Sequence, residues 1–179
     1  MGSSQLAVVL LSPPESGYSL LLKNKIAGVS LFKRLILTLQ KAGVNDILVL
    51  SHLLDEQEIK TCQADIEKDS RFKSRMNWQD RTSFFEANSD GKANVVTPSQ
   101  PFLLVNGNRV THQKVIQGFR EAISSKNPNG IFCLALESEK PGGLYLLPAS
   151  KFSTLSHRIG SESGEYKVER VVLSADKKF

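Results

Sequence analysis

Ser12, Ser16 and Gly17 follow directly on an apolar run, Ala7-Val8-Val9-Leu10-Leu11, and Lys23 and Lys25 come shortly after. In a parallel sheet, ligands sit beyond the carboxyl ends of the strands. That places the Ser12–Ser19 loop where backbone and hydroxyl donors could meet a phosphate. A second apolar run, Phe102-Leu103-Leu104-Val105, ends in Asn106-Gly107-Asn108, which offers amide groups at a strand end. Other chemistries find little support. His52, His112 and His157 are far apart, without metal-ligand spacing to one another or to a Cys or acidic residue. Ser12 and Ser16 have no base close in sequence and no G-x-S-x-G setting, so a serine hydrolase is a poor fit. Trp78 and the Phe84-Phe85 pair read as core or as an interface patch rather than as base-stacking groups.

The elements around these residues alternate. Ala7–Leu11 is apolar enough for a strand buried on both faces. A helix is expected from about Ser30 to Ala42, with Leu31, Leu35, Leu39 and Ala42 on one stripe and Gly43 as its C-terminal cap. Ile47–Leu50 then completes a βαβ unit. Asp55 to about Lys68 fits a surface helix whose apolar side is Ile59, Cys62 and Ile66. A short strand is expected at Arg75–Gln79, a helical turn at Ser83–Ala87 and a turn at Asn88–Lys92. After the strand at Phe102–Val105, Thr111 is the expected N-cap of a helix to about Ser124, with Val115, Ile116, Phe119 and Ile123 inward. Asn127-Pro128-Asn129-Gly130 breaks the chain before a strand at Ile131–Leu136. Gly142-Gly143 precedes a strand at Leu144–Leu147, a helix follows from about Ala149 to Arg158, and a last strand runs from Tyr166 to Leu173. Strands alternate with helices, and the first two-thirds hold no hairpin signal. That pattern predicts an α/β three-layer sandwich around a mainly parallel, mixed sheet.

The chain of 179 residues is expected to form one domain. No apolar run reaches the ~18–20 residues that cross a bilayer. Met1-Gly2-Ser3-Ser4-Gln5 has no basic region leading into an apolar segment, so no secretory signal is expected. Cys62 and Cys133 are expected to be buried thiols of a reducing cytoplasm rather than a disulfide. The net charge of +5 leans toward anionic partners. Lys23, Lys25, Lys33 and Arg34 lie close in sequence, but the excess as a whole is scattered and reads as solvated surface. No arginine-rich or aromatic–basic pattern suggests nucleic acid as a partner.

Three segments together resemble the sugar-phosphate nucleotidyltransferases, whose nucleotide-diphospho-sugar transferase-like fold is shared with many GT-A-like glycosyltransferases. Ile26-Ala27-Gly28-Val29-Ser30-Leu31, leading to Lys41-Ala42-Gly43 and then Asn45-Asp46-Ile47-Leu48-Val49-Leu50, is similar to the family's "V-x-G-x-P-L" helix entry and following strand. Phe102 to Asn108 is similar to the strand that delivers the family's metal-binding aspartate. Gly142-Gly143-Leu144-Tyr145-Leu146-Leu147-Pro148 is similar to its "G-I-Y-x-L" strand. The order resembles in particular the nucleotidyltransferase-like domains associated with membrane-bound CDP-alcohol phosphatidyltransferases, some relatives of which make CDP-inositol.

The resemblance implies CTP or a polyol phosphate as ligand, Mg²⁺ if the chain is active and otherwise no cofactor. It also implies a cytoplasmic domain, tethered to the inner membrane through an attached phosphatidyltransferase, with a homodimer among its partners. It makes Lys23 the catalytic cation and Ser12, Ser16, Gly17, Lys25, Asn106 and Asn108 the nucleotide-binding set, with no metal ligand assigned. The chain departs from the family loop "A-G-x-G-[ST]-R". Pro13 and Glu15 stand at its glycines, Gly17 at its arginine, and Leu21 where the family has a lysine. Proline has no N–H to donate, Glu15 repels phosphate, and Asn108 stands where the family places a metal-binding carboxylate. Asp176 is a further metal candidate by position alone. These departures point to eroded triphosphate and metal sites and to a ligand-binding or regulatory domain. The alternative is a catalytically inactive interaction or dimerisation module.

Overall fold

The computed structural model of the chain describes residues 5–11, 24–51, 56–80, 82–84, 86, 98–107, 111–127, 129–135, 141–152 and 168–173. Strands β1 (Leu6–Leu11), β4 (Asp46–Ser51), β5 (Arg75–Asp80), β6 (Phe102–Asn106), β7 (Ile131–Ala135), β8 (Pro141–Leu147) and β9 (Val168–Val172) form one sheet in the order β5-β4-β1-β6-β8-β7-β9. The intervening pair, β2 (Lys25–Ile26) and β3 (Val29–Ser30), forms a separate small antiparallel sheet. Pairing in the large sheet is parallel except where β8 runs between β6 and β7. This is the expected mixed, mainly parallel α/β architecture.

The pleat of β1 explains its unbroken apolar sequence. Ala7, Val9 and Leu11 enter one core and Val8 enters the other. On the first face lie α1 (Leu31–Lys41), α2 (Glu56–Glu67) and α3 (Gln113–Ile123), which contribute Phe32, Leu35, Ile36, Leu39, Ile66, Ile116, Phe119 and Ile123. On the second face Phe84 and Phe152 pack edge-on, with ring centroids 5.8 Å apart. Phe152 also meets Phe102 at 5.4 Å. Residues 82–84 are helical, and Ala149–Lys151 form one 3₁₀ turn.

Local signals set the ends of α1. The Ser30 Oγ accepts from the Lys33 N–H at 3.2 Å and caps its start. At its end Gly43 adopts φ 92°, its N–H bonds the Gln40 carbonyl at 2.9 Å, and the Val44 N–H bonds the Leu39 carbonyl at 3.1 Å. That pair of bonds is a Schellman stop, which requires a residue at ease with positive φ. Arg120 of α3 then donates to the Ala42 carbonyl at 3.0 Å, placing a cation on the negative end of α1.

Several sequence expectations need correction. A hairpin does occur in the first two-thirds: β2 and β3 are joined by Ala27 (φ 49°) and Gly28 (φ 75°), the two left-handed residues of a type I′ turn. The cap of α3 is His112, not Thr111. Its Nδ1 accepts from the Lys114 N–H at 3.2 Å, so an imidazole does the work expected of a hydroxyl one residue earlier. Gly142 and Gly143 lie inside β8 rather than before it. Gly143 has φ 76°, and the register against β7 shifts between Cys133 and Ala135, so the glycines form an irregularity in the strand. Lys33 is not a solvated cation. Its side chain is 12 % exposed and lies 3.2 Å from Asp69 and 3.4 Å from Asp65, tying α1 to α2 and the turn after it. Neither Cys62 nor Cys133 is in a disulfide, as expected; Cys133 is buried, but Cys62 is only half-buried. The turn expected at Asn88–Lys92 and the continuation of the 149–158 helix beyond Phe152 lie outside the described residues.

Candidate functional site

The chain leaves β1 for β4 on one side, while β6 returns to its other side. The direction of winding therefore reverses between β1 and β6, and ligands in open α/β sheets bind at the carboxyl ends of the strands at such a reversal. At this end lie Leu11, Ser51, Asp80 and Asn106, together with the start of antiparallel β8 and its Gly142–Gly143 irregularity.

The β1 and β6 ends are drawn tightly together. Leu10 pairs with Asn106, and the Gly107 N–H bonds the Leu10 carbonyl at 2.8 Å. A Cβ on residue 107 would fall 2.5 Å from Leu11 Cδ2, 3.0 Å from the Leu10 carbonyl oxygen and 3.1 Å from Val9 Cγ1. A side chain there would have to displace these neighbours, and half-buried Asn106 stands beside this close approach on the rim. Ser51, buried at the end of β4, is a polar residue that the sequence patterns did not single out. Asp80 was missed as well. Its Oδ1 accepts from the Ser83 N–H at 2.8 Å and from Ser83 Oγ at 3.0 Å, so it caps the helical residues that carry Phe84. An Asp three residues before a Ser was the available signal.

The β2–β3 hairpin stands at the same end. The carboxyl side of α1 meets the amino end of β1, where the Asn45 N–H bonds the Gln5 carbonyl at 3.1 Å. The amino end of α1, about 16 Å away at 1.5 Å per residue, therefore lies toward the carboxyl rim with the hairpin attached to it. Lys25 on this hairpin is exposed. Lys33 is engaged by Asp65 and Asp69, and Arg34 donates through Nη2 to the Ile26 carbonyl. Among the described members of the basic group, Lys25 is thus the exposed one. Lys25 and Asn106 both lie toward the carboxyl end of the sheet. Ser12, Ser16, Gly17, Lys23 and Asn108 lie outside the described residues, as do Pro13, Glu15, Leu21, His52, His157 and Asp176.

The aromatic residues serve packing. Trp78 lies 5.4 Å from Phe32 at 51° and is packed against the helix-side core. Phe84 is buried in the other core, while Phe85 is outside the described residues. Among the described residues no group of three or more His, Cys, Asp or Glu could hold a metal ion. The described rim offers one amide at Asn106 and the capping carboxylate Asp80. Divalent magnesium takes carboxylate and phosphate oxygens in near-octahedral order, and this donor set does not fit it. The arrangement can receive an anionic ligand through a lysine, an amide and backbone groups.

No protein-family model matches the chain, and no curated protein matches it. Solved structures do. Rv0371c from Mycobacterium tuberculosis H37Rv superposes with a TM-score of 0.67 at 10% identity, covering 96% of this chain and 89% of that one; it has also been solved in complex with manganese. HddC from Yersinia pseudotuberculosis gives 0.61 at 14% identity over 94% and 90% of the two chains, and a further structure of it contains GMP-PN. The inositol-1-phosphate CTP transferase of T. maritima gives 0.53 at 14% identity over 96% and 78%. Identities this low speak to architecture. The chain shares the mixed, mainly parallel α/β fold of these structures, that of the nucleotide-diphospho-sugar transferases.

Proposed function

We propose that this chain is a nucleotidyltransferase-like domain of the sugar- or polyol-phosphate cytidylyltransferase type whose triphosphate and metal sites are eroded. Its role is to bind a nucleotide such as CTP, or a polyol phosphate, in a ligand-binding or regulatory capacity. The observation that carries this reading is the rim at the β1/β6 reversal, where Gly107 draws the strand ends together beside Asn106, with the exposed Lys25 on the hairpin toward the same end of the sheet. The GMP-PN bound to HddC and the CTP named for the T. maritima enzyme support nucleotide as the ligand class. Ser12 and Ser16 supply loop donors, Lys23 or Lys25 the cation for phosphate, and Asn108 a ribose contact or a residual metal contact. Gly17 leaves the position of the family arginine without charge.

Were catalysis retained, an oxygen of the polyol phosphate would attack the α-phosphorus of CTP and release pyrophosphate, with positioning and electrostatics supplying the rate. Mg²⁺ is the cofactor such chemistry uses, but the described rim does not fit it. In this reading the domain serves an attached membrane phosphatidyltransferase. No helix of the described residues is long and apolar enough to cross a membrane.

A second reading, an inactive interaction or dimerisation module, is favoured by one feature. On β9, one of the two edge strands of the described sheet, Val168 is 39% exposed and Val172 is 62% exposed. A thermal-shift panel of CTP, ATP, GTP and UTP, each with and without Mg²⁺, separates the two. Ligand at about 100 times its dissociation constant adds roughly 2.7 kcal/mol of stability. A shift with CTP supports the binding domain. No shift with any nucleotide, together with a dimer in solution, overturns it in favour of the module.

A further inference from the structure

We propose that Arg34 is a positioning residue for anion binding: it fixes the β2–β3 hairpin so that Lys25 is presented to the rim, without itself touching the ligand. This rests on the reading of Lys25 as a phosphate-binding cation. The hairpin consists of two strands of two residues each, too short to hold itself together in water. Its turn carries Ala27 at φ 49°, a backbone state that costs a residue with a Cβ. The shape must therefore be imposed from outside, and α1 imposes it at two points. The Leu31 N–H bonds the Asn24 carbonyl at 3.0 Å, and Arg34 Nη2 bonds the Ile26 carbonyl. These are the residues on either side of Lys25, so both neighbours of the exposed lysine are gripped by the helix.

Arg34 does not act as a surface cation here. Its Nε is buried without a hydrogen-bond partner while Nη2 reaches the hairpin. A buried donor left unpaired is unfavourable for folding. The hairpin contact is the bond this guanidinium makes in return. Ile26, whose carbonyl is held, leaves its own side chain 58 % exposed, so side-chain burial does little to anchor this strand.

Two measurements on the full chain test this. Amide hydrogen exchange in the unliganded protein reads the clamp alone. Arg34→Gln should speed exchange across residues 25–30 by more than about tenfold while leaving Leu35–Leu39 unchanged. Calorimetric titration with CTP reads the coupling. Lys25→Gln and Arg34→Gln should each weaken binding by about tenfold, and the double variant should be no weaker than the single ones, since both remove one interaction. Arg34→Lys, which keeps one donor for the Ile26 carbonyl, should recover part of both effects; it also provides the test should Arg34→Gln fail to fold. Unchanged exchange overturns the clamp. Wild-type affinity in Arg34→Gln, or losses that multiply to about a hundredfold in the double variant, overturns the positioning role. If wild type does not bind CTP, or Lys25→Gln binds it like wild type, the site reading itself is overturned, and the exchange arm still decides whether Arg34 holds the hairpin.

Discussion

Gly107→Ala is a sharp perturbation of this fold, because one methyl group meets three close neighbours. Carbon atoms pack at about 3.5–4.0 Å, whereas the new Cβ would stand 2.5 Å from Leu11 Cδ2 and 3.1 Å from Val9 Cγ1, with the Leu10 carbonyl oxygen at 3.0 Å. The Leu11 methyl is at the end of a side chain and can turn, but Leu11 is buried in the helix-side core. The Leu10 carbonyl cannot move aside, since β1 is hydrogen-bonded to β4 and β6 on its two edges. Relief therefore comes by pushing the end of β6 outward and stretching the 2.8 Å bond from the Gly107 N–H. Overpacking of this kind costs about 1–3 kcal/mol, which in a chain of this size lowers Tm by roughly 3–9 °C. Gly118→Ala is the matched control. It lies inside α3, and its Cβ would meet the Leu173 methyls at 3.7 and 3.9 Å, ordinary contact. Removing a helical glycine there should raise stability by about 0.5–1 kcal/mol. Thermal denaturation followed by circular dichroism reads both. A Tm for Gly107→Ala within about 1 °C of wild type would refute the close approach on which the rim depends.

Asp69 should give the acid limb of the stability curve. The Arg71 side-chain and backbone bonds, with Lys33 beside them, hold its carboxyl well below the usual range. The folded state therefore resists protonation, and the stability Asp69 contributes is present above about pH 4 and lost as pH falls further. Urea midpoints measured from about pH 5 down to pH 2 should fall less steeply for Asp69→Asn than for wild type. Burial, with Asp65 nearby, pushes the Cys62 thiol up to about 12. Iodoacetamide at pH 8 should label Cys62 on the order of a thousandfold slower than an exposed cysteine, and intact mass after unfolding should show both thiols labelled. Restoring the family charges with Gly17→Arg and Asn108→Asp should raise Mg–nucleotide affinity in a titration, and no gain would count against the family conformation of that loop.

The sheet was legible where one local signal settles the outcome. Ala7–Leu11 is apolar at every position because the pleat feeds two cores, and Gly43 marks a helix end because few other residues accept φ 92°. The hairpin was not legible. Its strands are two residues long, and its turn uses Ala27 where Asn or Asp would have signalled a type I′ turn. His112 was passed over as a cap because imidazole seldom serves as one, and Thr111 beside it looked better. Lys33 was misread because its partners Asp65 and Asp69 lie more than thirty residues along the chain, so that only tertiary packing reveals the pairing. Of the candidate site, the ends of β1 and β6 and the position of Asn106 at the end of β6 were legible. The sequence did not reveal the close approach of Gly107 to β1, the cap at Asp80 or the grip of Arg34, each of which depends on contacts between separate elements.

The central claim is that the rim between β1 and β6 receives a nucleotide. An ¹⁵N-labelled sample titrated with CTP tests it most directly, because amide shifts report where the ligand sits. Saturable shifts are expected at Leu11, Lys25, Ile26, Asn106 and Gly107, with β9 and the far ends of the strands unmoved. Shifts confined to Val168–Val172, or none at the rim at a saturating concentration, would contradict it.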